Sequence, residues 1–95
     1  MKINKFNLKN KNILITGAAG LLGYEHSLAL LQVGATVIMT DIDFSKIMEN
    51  RLKLKKINQK FNILCFKMDV ASENSIKKVI TQINKKKLKV DCLVN

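Results

Sequence analysis

The sequence has few of the residues that build zinc sites, membrane spans or nucleic-acid readers. Its 95 residues contain one histidine and two cysteines, and because the cysteines are not closely paired, nothing supports a zinc site. No apolar run approaches the roughly 20 residues that cross a bilayer. The lysine-bearing segment Met1 to Asn12 is not followed by an apolar block, so we expect neither a membrane association nor a secretory signal.

The two cysteines and the single histidine are expected to be structural. Cys65 and Cys92 lie far apart inside apolar runs, which predicts two buried thiols in a reducing cytoplasm. His26 falls on the Leu22 and Ala29 face of a predicted helix, where a lone histidine is typically a core residue. We therefore expect a cytoplasmic protein with buried thiols and a core histidine.

A formal net charge of +10 raises the hypothesis of a nucleic-acid-binding protein. The lysines, however, are spread along the chain, and no aromatic residue interleaves with a basic run as stacking platforms do. Arg51 is the only arginine, although arginine is the usual reader of base edges. We interpret the charge as solvated surface and keep nucleic-acid binding as a less favoured alternative.

The stretch from Asn12 to Gly34 organises the chain. A short apolar run passes into three glycines, Gly17, Gly20 and Gly23. Apolar residues then recur at helical spacing until Gly34, where a helix C-terminal glycine belongs. This order predicts a buried strand, a glycine-rich turn and a helix in one unbroken segment.

The spacing of the three glycines suits the binding of a pyrophosphate. Gly17 permits a sharp reversal of the backbone, Gly20 leaves room for a phosphate, and Gly23 lets the helix pack tightly onto the strand. Because the first helical amides have no internal acceptor and the helix dipole is positive there, an anion is the natural ligand. The alternative is a turn that uses glycine for geometry alone. A P-loop is excluded because Tyr24 and Glu25, not Lys and Ser or Thr, follow the last glycine.

Asp41 follows the second predicted strand, Ala35 to Thr40, about twenty residues beyond the glycines. A carboxylate at this place accepts hydrogen bonds from both hydroxyls of an adenosine ribose and repels a phosphate at the 2′ position. Asp41 therefore favours NAD over NADP. The alternative is an acidic cap for the following loop, in which Asp43 or Ser45 starts the next helix.

The rest of the chain alternates between helical and strand patterns. We predict helices at about Leu21 to Val33, at Phe44 to Lys60 and from Glu73 onwards with Ser72 as N-cap, and further strands at Asn62 to Met68 and Val90 to Val94. The order β-α-β-α-β-α-β predicts an α/β fold, one partial domain over residues 1–95, with a parallel sheet of four strands in the order 3-2-1-4. We also expect Ile3, Phe6 and Leu8 of the basic lead-in to pack against the sheet edge.

Four segments of the sequence resemble motifs of the short-chain dehydrogenase/reductase family. The turn Thr16–Gly23, Thr-Gly-Ala-Ala-Gly-Leu-Leu-Gly, resembles the family's cofactor turn, and Asp41 stands where its NAD-preferring members carry an acid. Asp69-Val70 resembles the acid and apolar pair after the third strand, and Asp91–Asn95 resembles the start of the fourth-strand motif Asp-x-Leu-Val-Asn. The four matches follow one another in the family's order and span nearly the whole chain.

The resemblance implies a Rossmann-like three-layer sandwich and an NAD(P)-dependent oxidoreductase that moves hydride between the cofactor and a carbonyl or alcohol. The implied partners are a dinucleotide and a small-molecule substrate, and the resemblance also allows a homo-oligomer. The same resemblance implies that the turn contacts the pyrophosphate and that the acid after strand two contacts the ribose. It also implies that the Asp-Val pair contacts the adenine and that the last residue lies near the nicotinamide ribose. The implied cofactor-binding residues are Gly17, Ala19, Gly20, Leu21, Leu22, Gly23, Asp41, Asp69, Val70 and Asn95.

One departure from the family pattern bears on the substrate. Leu21 stands where classical members carry glycine, and the resulting TGxxGxxG spacing is closer to the extended branch, many of whose members act on nucleotide sugars. Some classical-type members linked to surface-sugar biosynthesis also resemble TGxxGLLG. The departure therefore gives a hypothesis of a role in surface-sugar biosynthesis.

A second departure is truncation of the sheet after its fourth strand. The family's catalytic Ser, Tyr and Lys lie beyond this strand, so no position here matches them, and Tyr24 lies on the first predicted helix. We therefore expect a chain that is inactive by itself and marginally stable, with an open edge at Cys92–Val94 that invites pairing with another chain. The alternative to part of an oxidoreductase is a small nucleotide-binding module without catalysis.

Overall fold

The structure, a computed structural model, describes residues 7–95. The strands are β1 (Asn12–Ile15), β2 (Thr36–Asp41), β3 (Ile63–Lys67) and β4 (Cys92–Val94), and the helices are α1 (Leu21–Gln32), α2 (Phe44–Ile57) and α3 (Glu73–Lys85). This order confirms the predicted alternation, and none of these helices is long and apolar enough to cross a bilayer. Of the lead-in residues expected to pack on the sheet, Leu8 contacts the core, while Ile3 and Phe6 lie outside the described residues.

The strands of residues 7–95 form one parallel sheet in the order β3-β2-β1-β4, as the sequence predicts. β1 is central and is paired on both sides, with Leu14 opposite Ile38 of β2 and Leu93 of β4. Successive side chains of a strand point to opposite faces, so a strand that is apolar throughout needs cover on both. Because β1 has a neighbouring strand on each side, its carboxyl end lies inside the carboxyl edge of the sheet and not at a corner.

Helices cover the two faces of the sheet in three layers. On one face α1 and α2 pack through Leu31, Ile47 and Leu54. On the other face α3 packs through Val79 and Ile83. These side chains are buried, and each square ångström of apolar surface removed from water contributes about 25 cal/mol. The arrangement confirms the predicted three-layer sandwich.

The buried face of α1 differs from the predicted one. Gly23, Ser27 and Leu31 are its buried residues, whereas Leu22 is 68% exposed and His26 is only half-buried. The prediction of a core histidine on an apolar Leu22 face is therefore wrong. The first half of α1 faces inward through the small residues Gly23 and Ser27, because it lies in direct contact with the loop that precedes it, and Leu31 packs in the core further along the helix.

Gly34 ends the first helical segment as predicted, and its geometry explains why. Its φ is +99°, in the left-handed region that favours glycine. The N–H of Gly34 donates to the carbonyl of Leu31 and the N–H of Ala35 to that of Leu30, both at 3.1 Å. This is a Schellman motif, which satisfies carbonyls that the helix end would otherwise leave open.

Helix α2 ends at Ile57, three residues before the predicted end. Asn58 adopts an extended conformation, with φ −154° and ψ 113°. The side chain of Lys55 then donates to the carbonyls of Gln59 (2.8 Å) and Phe61 (2.7 Å). A lysine in the last turn of α2 thus binds the segment that returns the chain toward β3.

The prediction of two buried thiols is wrong, because β3 and β4 are the outer strands of the sheet. Cys92, where β4 begins two residues later than predicted, is exposed, and Cys65 of β3 is half-buried. Burial raises the pKa of the Cys65 thiol, and the positive charge of Arg51 acts in the opposite direction. Leu93 is 56% exposed, so the β4 edge is open in the described part of the chain, as expected.

Candidate functional site

The predicted cofactor residues lie along the carboxyl edge of the sheet. The glycine loop connects β1 to α1, Asp41 ends β2, Asp69 and Val70 follow β3, and Asn95 follows β4. Because the strands are parallel, all four segments meet at the same edge. Ligands of open α/β sheets bind at this edge, where the strand order reverses.

The loop between β1 and α1 is a tight turn tied to the neighbouring strand. Gly17 has a φ of +66°, a conformation that glycine adopts without strain. The N–H of Gly20 donates to the carbonyl of Gly17 (3.2 Å), and the N–H of Ala18 donates to the carbonyl of Thr40 in β2 (3.0 Å). The loop is thereby held over the carboxyl ends of β1 and β2.

Helix α1 begins at this loop with open amide groups. Gly20 is its N-cap and provides no side-chain hydrogen bond. The first bonded helical amide is that of Tyr24, which donates to the carbonyl of Gly20 (3.0 Å). The N–H groups of Leu21, Leu22 and Gly23 have no acceptor among the residues that the structure describes. These amides and the positive end of the helix dipole can bind an anion.

Gly23 and Gly20 face different surroundings. A Cβ built on Gly23 would lie 2.5 Å from the carbonyl oxygen of Gly17 and 2.7 Å from Cα of Ala18. Gly23 thus allows α1 to pack on the loop itself. The sequence predicted packing on the strand, whereas the nearest neighbours of Gly23 are atoms of the loop. A Cβ on Gly20 would lie 3.7 Å from the Gly17 oxygen, in ordinary contact. Packing within the protein therefore requires glycine at position 23 but not at position 20.

The carboxylate of Asp41 is held against the glycine loop. Its Oδ2 accepts a hydrogen bond from the N–H of Ala19 (3.1 Å), and its Oδ1 accepts one from the N–H of Asp43 (3.0 Å). Asp43 is the N-cap of α2 and accepts the N–H of Lys46 (3.1 Å). Asp41 thus caps the loop that follows β2, as the alternative role predicts, and also connects the end of β2 to the glycine loop, while Asp43 starts α2.

Asn50, which sequence reasoning missed, also contacts the loop. It lies on α2 and is 3% exposed, and its Nδ2 donates to the carbonyls of Ala18 (3.0 Å) and Ala19 (3.2 Å). A signal was present in the sequence, because Asn50 stands between Ile47 and Leu54 on the apolar stripe of α2. A polar residue in such a stripe is buried at a cost unless its hydrogen bonds are made.

The fourth strand brings Asn95 to the beginning of the loop. The hydroxyl of Thr16, the first residue after β1, lies 3.1 Å from Oδ1 of Asn95 and 3.4 Å from the carbonyl oxygen of Val94. The N–H of Thr16 also donates to that carbonyl (3.0 Å). Thr16 therefore positions the last residue of the chain next to the glycines.

Asp69 and Val70 lie beyond the end of β3, next to the end of β2. The N–H of Met68 donates to the carbonyl of Asp41 (3.0 Å), and Oδ1 of Asp69 accepts the N–H of Ala71 (2.9 Å). Val70 is exposed and offers an apolar surface at the edge of the sheet. The pair therefore lies on open surface beside Asp41.

A cleft of about 350 Å³ lies between α1 and α2 on the outer side of the loop. Its lining residues are Ala19, Gly20, Leu21, Tyr24, Glu25, Lys46, Asn50 and Lys53. The Nζ of Lys53 lies 5.9 Å from the centre of the Tyr24 ring, within the range of a cation–π contact. Of the predicted site residues, Ala19, Gly20 and Leu21 line the cleft, whereas Asp41, Asp69, Val70 and Asn95 do not.

Comparison with known proteins connects this arrangement to one family. A family model described as short chain dehydrogenase matches residues 11–95. Among characterised sequences, the chain is 28% identical over 89 residues to the short chain dehydrogenase/reductase dpfgG of Gibberella zeae. That match covers 94% of this chain and 32% of the fungal protein.

Two solved structures share the fold. A short chain dehydrogenase from Mycobacterium smegmatis is 31% identical with a TM-score of 0.84, over 95% of this chain and 38% of that one. A protein from Haemophilus influenza, assigned as a D-mannonate oxidoreductase and crystallised with bound NAD, is 27% identical with a TM-score of 0.84, over 95% of this chain and 31% of its own. The chain thus spans about a third of the length of the relatives described here.

Proposed function

This chain belongs to the short-chain dehydrogenase family, and from that premise we propose that it is the NAD-binding, amino-terminal part of an oxidoreductase. When bound, NAD supplies the hydride chemistry, and the substrate class is a carbonyl or alcohol. The residues of this chain bind the cofactor and fix its orientation. A relative of similar fold was crystallised with NAD, which supports the choice of ligand.

The observation that carries the proposal is a set of open amides beside a positioned carboxylate. The N–H groups of Leu21, Leu22 and Gly23 have no acceptor within residues 7–95, and a carboxylate oxygen of Asp41 lies 3.1 Å from the nitrogen of Ala19 in the same loop. Open amides at a helix start bind phosphate oxygens, and an acid at this distance along the chain binds ribose hydroxyls. The residues present therefore fit a dinucleotide.

The remaining predicted residues extend this site along the edge of the sheet. We assign Asp69 and the exposed Val70 to contacts with the adenine ring, and Asn95 to the region of the nicotinamide ribose. The negative charge of Asp41 repels the 2′-phosphate of NADP, so NAD is the proposed cofactor. Each of these roles is a proposal for this chain.

Catalysis is assigned to residues beyond those present. The chain spans about a third of its relatives, and the family's catalytic Ser, Tyr and Lys match none of its positions. We propose that these residues alone bind NAD without turnover, which is how the alternative nucleotide-binding module would also behave. A role in surface-sugar biosynthesis stays a prediction. Nucleic-acid binding also stays a prediction, as the less favoured alternative.

The experiment that tests the proposal is calorimetric titration of the purified chain with NAD and NADP, using Asp41→Asn and the matched control Asp43→Asn. Asp41→Asn should weaken NAD binding by about tenfold, because hydrogen bonds to a charged group are worth roughly 1–1.5 kcal/mol more than those to a neutral one. It should also reduce the preference for NAD over NADP. Asp43→Asn removes the same charge two residues away and keeps a good N-cap, so NAD affinity should be unchanged.

Two results would contradict the proposal. The first is the absence of saturable NAD binding to the wild-type chain. The second is an equal effect of the Asp41 and Asp43 substitutions, because general loss of negative charge would then explain the change without a ribose contact.

A further inference from the structure

The side chain of Asn50 joins α2 to the loop between β1 and α1. Its Nδ2 donates to the carbonyl oxygens of Ala18 (3.0 Å) and Ala19 (3.2 Å). The other buried polar side chains of the described residues are Ser27 and Thr40. Ser27 donates to a carbonyl of its own helix, and Thr40 donates to a carbonyl of β1. Asn50 is therefore the one of these three side chains that binds carbonyls of the glycine loop.

The bonds from Asn50 orient two consecutive peptide planes. A trans peptide points its C=O and its N–H in opposite directions, so holding the carbonyls of Ala18 and Ala19 toward α2 turns the next two N–H groups away from it. The N–H of Ala19 donates to Asp41 (3.1 Å), and the N–H of Gly20 donates to the carbonyl of Gly17 (3.2 Å). One side-chain amide thus supports the turn, whereas the carboxylate of Asp41 is also held by the N–H of Asp43 (3.0 Å), independently of Asn50.

The orientation of these peptides decides how the loop meets an anion. If they rotated, carbonyl oxygens with partial negative charge would face the open amides of Leu21 and Leu22, where a phosphate is attracted. We propose that Asn50 is a positioning residue that holds the glycine loop in its anion-accepting conformation and so raises its affinity for a pyrophosphate. The inference rests on the proposed function, because it concerns the same cofactor site.

The test is an NMR titration of the ¹⁵N-labelled chain with NAD and with adenosine, which lacks the pyrophosphate. The variants are Asn50→Ala and Asn50→Asp, which keeps the size of the side chain but cannot donate to two carbonyls. The control is Leu54→Val, which loosens the packing of a fully buried residue four positions along the same helix and leaves the contacts of Asn50 in place. Comparing the two ligands separates the loop contacts from the contacts to ribose and adenine.

Both Asn50 variants should bind NAD about tenfold more weakly than the wild-type chain, with adenosine affinity changed by less than about threefold, since each lost hydrogen bond is worth a severalfold change in affinity. Leu54→Val should lower the melting temperature but keep the ratio of the two affinities. In the wild-type chain, NAD should shift the side-chain amide resonances of Asn50 and adenosine should not. This last readout does not require any variant to fold.

Equal losses of NAD and adenosine affinity in the Asn50 variants would show structural support alone and would overturn the inference. Unchanged NAD affinity, or wild-type amide resonances that respond equally to both ligands, would overturn it as well. If the wild-type chain binds neither ligand, the proposed function fails and the inference fails with it. The two kinds of failure are therefore distinguished by the wild-type titration.

Discussion

Three glycines of one loop serve three different physical purposes. Gly17 adopts a φ of +66°, which other residues adopt at a cost. Gly23 has no room for a side chain, since a Cβ would lie 2.5 Å from a carbonyl oxygen. Gly20 has room for one. The fold therefore explains Gly17 and Gly23, and the proposed approach of a phosphate would account for Gly20.

We predict that Gly23→Ala destabilises the chain and that Gly20→Ala weakens NAD binding. The methyl group on residue 23 forces α1 away from the loop, which costs about 1–3 kcal/mol as overpacking does. Gly20→Ala lowers the free energy of unfolding by less than about 1 kcal/mol, a loss that arises because alanine is a poorer N-cap than glycine. Its methyl group, however, occupies the space through which the proposed phosphate approaches. Urea unfolding and NAD calorimetry measure the two effects.

The two variants serve as controls for each other. Equal destabilisation by both would contradict the packing argument for Gly23. Unchanged NAD affinity in Gly20→Ala would contradict the assignment of that position to phosphate approach.

At the scale of elements, the three helix starts of the described chain differ, and the difference marks the site. Asp43 caps α2 by accepting the N–H of Lys46 (3.1 Å), and Ser72 caps α3 by accepting the N–H of Ser75 (3.2 Å). Helix α1 starts at Gly20 without a side-chain cap. Because the first amides of α1 are not occupied by a cap, they remain available to donate hydrogen bonds to an anion at the edge of the sheet.

We predict that Ser72→Ala lowers the free energy of unfolding by about 1 kcal/mol, because the amide of Ser75 loses its capping acceptor. Circular dichroism during urea unfolding is the suitable probe, because the chain has no tryptophan and one tyrosine.

A control for this substitution lies on the same helix. Thr81 is exposed and its hydroxyl bonds a carbonyl of α3 itself, so Thr81→Ala should cause no loss, because alanine is the better helix former. Equal destabilisation by the two substitutions would contradict the role of Ser72 as a cap.

At the scale of residues 7–95 taken together, the sheet ends on two outer strands, β3 and β4. The β4 edge carries the exposed side chains of Cys92 and Leu93. Unpaired backbone groups and apolar side chains on an outer strand are a template for pairing with another chain. This edge is therefore the part of the described surface where we expect self-association.

We predict that Leu93→Lys reduces concentration-dependent self-association, because a charged side chain on an outer strand opposes edge-to-edge pairing. Stability should change by less than about 0.5 kcal/mol, as is usual for an exposed position. Sedimentation velocity over a series of protein concentrations measures the association.

The matched control is Leu52→Lys, because Leu52 is exposed to a similar degree, 60% against 56%, but lies on helix α2. Leu52→Lys adds the same charge and should leave self-association unchanged. An equal reduction by both variants would attribute the effect to net charge rather than to the strand edge.

The sequence by itself determined the order of elements, the parallel sheet and the place of the glycine loop. These features depend on local patterns: an apolar run before Gly17, helical spacing up to Gly34, and an acid at Asp41 that directly follows a strand. A strand, a tight turn and a helix in succession leave few ways to connect parallel strands. The position of Asp41 at the end of β2, at the same edge as the loop, followed from that topology.

Tertiary structure alone decided which surfaces are buried and what holds the loop. The helical pattern favoured Leu22 for the core, but the missing side chain of Gly23 lets the first half of α1 face inward through Gly23 and Ser27, and Leu22 is left exposed. Asn50 bonds carbonyls 31 and 32 residues away in the sequence. Such contacts depend on how α2 packs on the sheet, which no local pattern specifies, because packing is settled by the fit of all the elements together.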